Sequence, residues 1–191
     1  MQYPQGSKTM INTKDLKPAS ILVICGGSSV VAESIEIGAV FDGEPAAHHV
    51  AVVHHIAPNG VLWGIEGRPG GVGWVDCAKY IAHPLTVANT SQAITDEARM
   101  SIAVIMEAMI GTAYDWAAIA EDGGQIFSRK FGLADIWHEK VDGKLPGHIV
   151  CSSLAAYGYD RANLPCPSPR DYRHVTPADW EKFILDNHYG T

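Results

Sequence analysis

The stretch His48-His49-Val50-Ala51-Val52-Val53-His54-His55-Ile56-Ala57-Pro58-Asn59-Gly60-Val61-Leu62-Trp63-Gly64-Ile65-Glu66 decides the fold. Its first limb, His49 to Ile56, is apolar on both faces at Val50 to Val53, which suits a central strand. Pro58-Asn59-Gly60 then breaks the chain, and Val61 to Glu66 returns as an antiparallel partner.

With Ala57 to Gly60 as the loop, Ile56 pairs with Val61, Ala51 with Glu66 and His49 with Arg68. Paired residues point to one face, and alternate residues share it. His49 and Glu66 are then diagonal neighbours, about 7–8 Å apart at the backbone and within reach of their side chains. A slip of one residue would exchange His49 for His48. His49 is therefore the favoured partner of Glu66, and His48 is held in reserve.

Outward from this hairpin, Ile21-Leu22-Val23-Ile24-Cys25 reads as a buried strand closed by Gly26-Gly27. Ser28 to Gly38 suggests a short helix, and Asp42-Gly43-Glu44-Pro45 a loop. The glycine-rich Gly67 to Gly73 lacks the lysine and following helix of a phosphate loop. Thr95 to Ile110 is the clearest helix, with Ile94, Ala98, Ile102, Ile105 and Met109 on one face. Thr95 caps it and Gly111 ends it. Residues 115–146 read as irregular. A second helix is expected from Ser152 to Ala162, and Thr176-Pro177-Ala178-Asp179-Trp180 opens a third. Strands first and helices later predict an α+β fold, a small antiparallel sheet or half-barrel packed on the helix that bears Cys151. Residues 1–18 read as a polar lead-in and 19–191 as a single domain.

A chain of 191 residues can bury one good core. Its formal charge of −7, with no basic stripe, argues against a nucleic-acid partner or an anionic membrane surface. No signal peptide is read in the polar first 20 residues. No run approaches the roughly 18 apolar residues that span a bilayer. A cytoplasmic location, or release without a signal peptide, and no membrane insertion are the expectations. Cys25, Cys77, Cys151 and Cys166 are widely spaced, without a metal or redox pattern, and read as reduced thiols.

Cys151 stands where the short run His148-Ile149-Val150 ends and a helical pattern begins. The free N–H groups and positive dipole end at a helix start favour a thiolate. Cys, His and a carboxylate are the parts of a thiol-based acyl-transfer site, with Cys151 as nucleophile, His49 as base and Glu66 orienting the ring. A zinc site on the His48/His49 and His54/His55 pairs is disfavoured. Residues six apart lie about 20 Å apart along a strand, and ligands must reach within about 2.1 Å of one ion. No metal and no organic cofactor are expected. His148 reads as a rim residue, and the other three cysteines as core or loop thiols.

The order His49, Glu66, Cys151 resembles the permuted NlpC/P60 papain-like cysteine hydrolases, including the YiiX/YaeF-like group, with lecithin:retinol acyltransferase-type enzymes as distant relatives. Lys17-Pro18-Ala19-Ser20-Ile21-Leu22 is similar to the segment leading into that family's first strand. His49-Val50-Ala51-Val52-Val53, Ile65-Glu66-Gly67, Gly71-Val72, Tyr114-Asp115, Cys151-Ser152-Ser153-Leu154 and Val175-Thr176-Pro177-Ala178-Asp179 follow in the family's order. Ala19-Ser20, His48 and Ser153 depart from it. Ser153 replaces a glutamate, which bears on substrate positioning or helix anchoring. The resemblance implies a circularly permuted papain-like fold and amide hydrolysis on a peptide or cell-wall fragment such as a peptidoglycan stem. It also implies that Tyr114 helps bind the oxyanion. The alternatives are an acyltransferase or lipid hydrolase with the same triad, and an inert binding or structural protein on the same fold.

Overall fold

The computed structural model describes residues 11, 13–25, 47–81, 86–89, 94–115, 147–167 and 172–186. The expected helix at Ser28 to Gly38, the loop at Asp42 to Pro45 and residues 116–146 of the irregular stretch lie outside them. Among the described residues the fold is α+β. Strands β1 (Ile21–Cys25), β2 (Ala47–Ile56), β3 (Leu62–Arg68), β4 (Gly71–Asp76) and β5 (Thr86–Asn89) form one sheet in the order β4-β3-β2-β1-β5. Every neighbouring pair is antiparallel. A short helix α1 (Ala78–Ile81) follows β4, and α2 (Asp96–Ala108), α3 (Cys151–Arg161) and α4 (Pro177–Asp186) are the longer helices. Two-residue strands β6 (Ala113–Tyr114) and β7 (His148–Ile149) pair in parallel.

The hairpin register differs from the sequence expectation at its turn and agrees with it further in. Ala57 and Val61 close the loop through a backbone bond of 2.8 Å, and Gly60 takes φ 83°, a left-handed conformation that glycine adopts without a Cβ penalty. Ile56 then pairs with Leu62 instead of Val61. A bulge at His54 absorbs the extra residue, so Val53 meets Gly64 and Val52 meets Ile65. Those two pairs match the expected register; the ladder ends there, so the expected pairs Ala51/Glu66 and His49/Arg68 lie beyond its last pair, and Glu66 itself pairs with Gly73 of β4. A second bulge at His48, between Ile24/His49 and Cys25/Ala47, marks the other end of β2. Bulges bend a strand and re-aim its side chains, and here they bracket His49.

The sheet is buried on both sides. Ile21, Val23, Val50, Val52, Ile65 and Val72 pack with α2, α3 and α4. Leu22, Ile24, Ala51, Val53, Leu62 and Val75 pack with Leu16 and Cys77, and Tyr80 and Ile81 of α1 close that side. α3 is buried from Cys151 to Tyr159, so it is the central helix. Where it crosses α2, Gly158 leaves room for the end of the Met106 side chain: a Cβ there would lie 2.1 Å from Met106 Cε and displace it. Thr95 caps α2 by accepting from the Ala98 N–H at 3.3 Å. The buried face of α2 centres on Ile102 and Met106 and includes Arg99, which the apolar pattern passed over. Arg99 donates to the Pro18 carbonyl at 2.7 Å. Tyr159 donates to the Ala19 carbonyl at 2.6 Å, so both tie the segment ahead of β1 to the helices. At α4, Thr176 and Asp179 form a reciprocal capping box with bonds of 2.8 to 3.2 Å. Trp180 Nε1 donates to the Ser152 carbonyl at 3.0 Å, bracing the first turn of α3. No helix of the described residues is long and apolar enough to cross a membrane.

Candidate active site

The β2–β3 ladder runs to Val52/Ile65, and beyond it the start of α3 meets both strands. The Val50 backbone hydrogen-bonds the Cys151 sulfur, and Gly67 lies against the backbone of Val150 and Cys151. Cys151 thus sits where His49 of β2, itself held by Glu66 of β3, reaches it. Val150, the residue before the helix, offers no side-chain cap. The first-turn N–H groups are left to the sulfur and to whatever binds beside it.

His49, Glu66 and Cys151, chosen from sequence alone, are linked in one chain of contacts. His49 Nε2 lies 2.8 Å from Glu66 Oε2, and the ring also hydrogen-bonds Cys151. With Nε2 taken by the carboxylate, Nδ1 is left for the sulfur. His48, the reserve base, is the extra residue of the bulge; the bonds to Glu66 and Cys151 are made by His49. Tyr114 also hydrogen-bonds the Cys151 sulfur. Its place follows from β6–β7 pairing, which sets Tyr114 beside Ile149, two residues before Cys151. The same pairing sets His148 beside Ala113.

Glu66 is 1% exposed yet has four donors. His49 and the Tyr80 hydroxyl share Oε2. Arg68 NH1 and Lys79 Nζ approach Oε1 at 3.3 and 3.4 Å. Arg68 lies two residues beyond Glu66 on the same strand, so period-two alternation could have found it. Tyr80 and Lys79 lie on a four-residue helix, too short for any periodic signal.

The electrostatics separate this cysteine from two others. Burial works against the Cys151 thiolate, but the His49 charge and hydrogen bond, with backbone bonds from Val50 and Ser152, outweigh it and lower the thiol below its ordinary value. Burial also opposes a charged His49; Cys151 and then Glu66 overcome it and raise the ring to about 9. Burial would raise Glu66, yet His49, Tyr80 and Lys79 hold it down to about 2. The lowered thiol and the raised ring both favour a thiolate beside a protonated imidazole. Tyr114 is raised by burial and by the negative charge at Cys151, so its hydroxyl remains a proton donor. Cys77 is pushed up to about 12 by burial and by Glu66 and Asp76. Burial and Asp160 raise Cys166.

Such an arrangement can hold a thiolate beside a protonated base, with a phenol and backbone donors around the sulfur. Cys151 is 5% exposed and the His49 side chain 17%. No family model matches this chain, and no curated protein matches it.

Proposed function

We propose that the protein is a cysteine-dependent hydrolase that cleaves an amide bond through an acyl-thioenzyme, on a permuted papain-like fold. The observation that carries this reading is the hydrogen-bonded sequence Cys151–His49–Glu66 at an uncapped helix start. The Cys151 thiolate attacks the carbonyl carbon and forms a C–S bond. The Tyr114 hydroxyl and the Cys151 backbone N–H are the candidate donors to the oxygen that becomes negative. Protonated His49 gives its proton to the leaving amine nitrogen as the C–N bond breaks. A water, deprotonated by His49, then attacks the thioester; the carboxylic acid leaves and the thiolate returns. Glu66 holds the ring in the required tautomer and stabilises its charged form.

The order of strand histidine, strand glutamate and helix cysteine supports the resemblance to permuted NlpC/P60 hydrolases, as does the closeness of Tyr114 to the sulfur. A peptide or peptidoglycan-stem fragment is the substrate class that resemblance suggests. The test offers the protein a γ-D-glutamyl peptide and, in parallel, a lipid ester, with Cys151→Ala as control. Amine release that vanishes in Cys151→Ala is expected. Turnover of the ester alone would move the assignment to an acyltransferase or lipid hydrolase. Activity that survives Cys151→Ala would remove the thiol mechanism.

A further inference from the structure

Glu66 Oε2 receives two donors, and only one of them belongs to the triad. The other is the Tyr80 hydroxyl. The Tyr80 ring also lies against the His49 ring, with centroids 5.5 Å apart and planes tilted by 47°. Lys79 Nζ stands 4.5 Å from the centre of the Tyr80 ring, a cation–π contact that helps hold the phenol in place. We infer that Tyr80 is a positioning residue for the reactive pair: its hydroxyl fixes the direction from which Glu66 grips His49 Nε2, and so which nitrogen faces Cys151. This rests on the thiol-hydrolase reading above.

A carboxylate oxygen has two in-plane acceptor directions. With the phenol on one of them, His49 is confined to the other, and the carboxyl group cannot swing without breaking two bonds. Arg68 and Lys79 serve the opposite oxygen and are 49% and 51% exposed, so solvent screens them and their long chains fix direction poorly. Tyr80 is a neutral donor in a partly buried place, and burial together with Glu66 raises its hydroxyl far above any working pH. It therefore donates throughout the range in which the enzyme would work. The charged and titratable groups around the ring are Cys151 from α3, Glu66 from β3 with Arg68, and Lys79 and Tyr80 from α1. Tyr114 and Cys77 lie one contact further out.

The test follows the His49 ring nitrogens by ¹⁵N–¹H spectroscopy across pH, in the wild-type chain and in Tyr80→Phe. The phenylalanine keeps the ring packing and removes only the hydroxyl. The expected wild-type ring stays charged, with both nitrogens protonated, well above the ordinary 6.5, and on losing one proton it keeps the other on Nε2. In Tyr80→Phe its midpoint should fall by at least half a pH unit, about threefold in the equilibrium, in a chain that still unfolds cooperatively. A midpoint that stays or rises overturns the Tyr80 assignment alone. A wild-type ring that titrates at its ordinary value overturns the thiolate–imidazolium pair, and with it the hydrolase reading. Should Tyr80→Phe not fold, the wild-type spectrum still decides: the Tyr80 hydroxyl proton is expected in slow exchange with water and close in space to the His49 Nε2 proton. Its absence would overturn the inference.

Discussion

Gly67 and Cys151 meet backbone to backbone. A Cβ built on Gly67 would stand 3.1 Å from the Cys151 nitrogen and 3.3 Å from its Cα, with the Val150 carbonyl carbon at 3.2 Å. The glycine next to Glu66 is thus what lets α3 seat against β3. Gly67→Ala should push the helix start outward by a few tenths of an ångström, and Gly67→Val by more. Overpacking of this kind costs about 1–3 kcal/mol. The expected result is a graded loss in both melting temperature and Cys151 alkylation rate, larger for valine. A valine variant with wild-type alkylation would show that this contact does not set the sulfur.

Thiol reactivity offers a direct reading of the site. Cys151 is lowered by His49 while burial raises Cys77 and Cys166. Iodoacetamide at pH 6 should label Cys151 first, with mass mapping of the peptides as the measurement. His49→Ala should abolish that preference, because without the ring's charge and hydrogen bond burial favours the neutral thiol. Equal, slow labelling of all four cysteines would support an inert protein on this fold.

The central strands and the Cys151 helix were legible because they are written in hydrophobic pattern. Ile21–Cys25 and the Thr95 cap appear in the structure as the sequence predicts. The nearness of His49 to Glu66 was legible for a less simple reason. The assumed loop is displaced by one residue at Ile56, and the His54 bulge restores the register before Val52. Nothing in His54-His55 announces that bulge. β4 was hidden by Gly71 and Gly73, residues that weaken a strand signal. Arg99 was hidden because a buried arginine on an apolar face looks like a break in the pattern, while its long chain reaches the Pro18 carbonyl. Tyr80 belongs to a helix of four residues whose place depends on tertiary contacts alone.

Acid and alkali should probe opposite ends of the same network. Glu66 is held down to about 2 in the fold, against an ordinary value of 4.5. A depressed carboxyl gives stability that is present above its unfolded value and is lost as pH falls through its folded one. The loss from this group therefore falls between about pH 4.5 and 2. His49 is raised from 6.5 to about 9; its share is complete below 6.5 and fades as pH climbs to 9. Glu66→Ala leaves a buried imidazolium and three other donors without their acceptor, which at neutral pH should cost about 3–5 kcal/mol. Urea unfolding of both proteins at several pH values checks this. The gap between them should shrink on the acid side; a constant gap would contradict the assigned carboxylate.

Ser153 stands where the resembling family places a glutamate, and its surroundings explain what it does in this chain. It is 2% exposed, and its hydroxyl donates to the Arg173 carbonyl at 3.0 Å. That bond ties the first turn of α3 to the turn at Tyr172–His174. Ser153→Ala should lose about 1 kcal/mol, the ordinary net contribution of one hydrogen bond. Ser153→Glu should be worse, because it places a carboxylate against a carbonyl oxygen in a closed site. Neither change touches the contacts of Cys151 with His49. The alanine variant should therefore unfold at lower urea while keeping its pH 6 alkylation rate within about twofold, a difference of about 0.4 kcal/mol. A collapse of alkylation at unchanged stability would instead place Ser153 in the thiol chemistry itself.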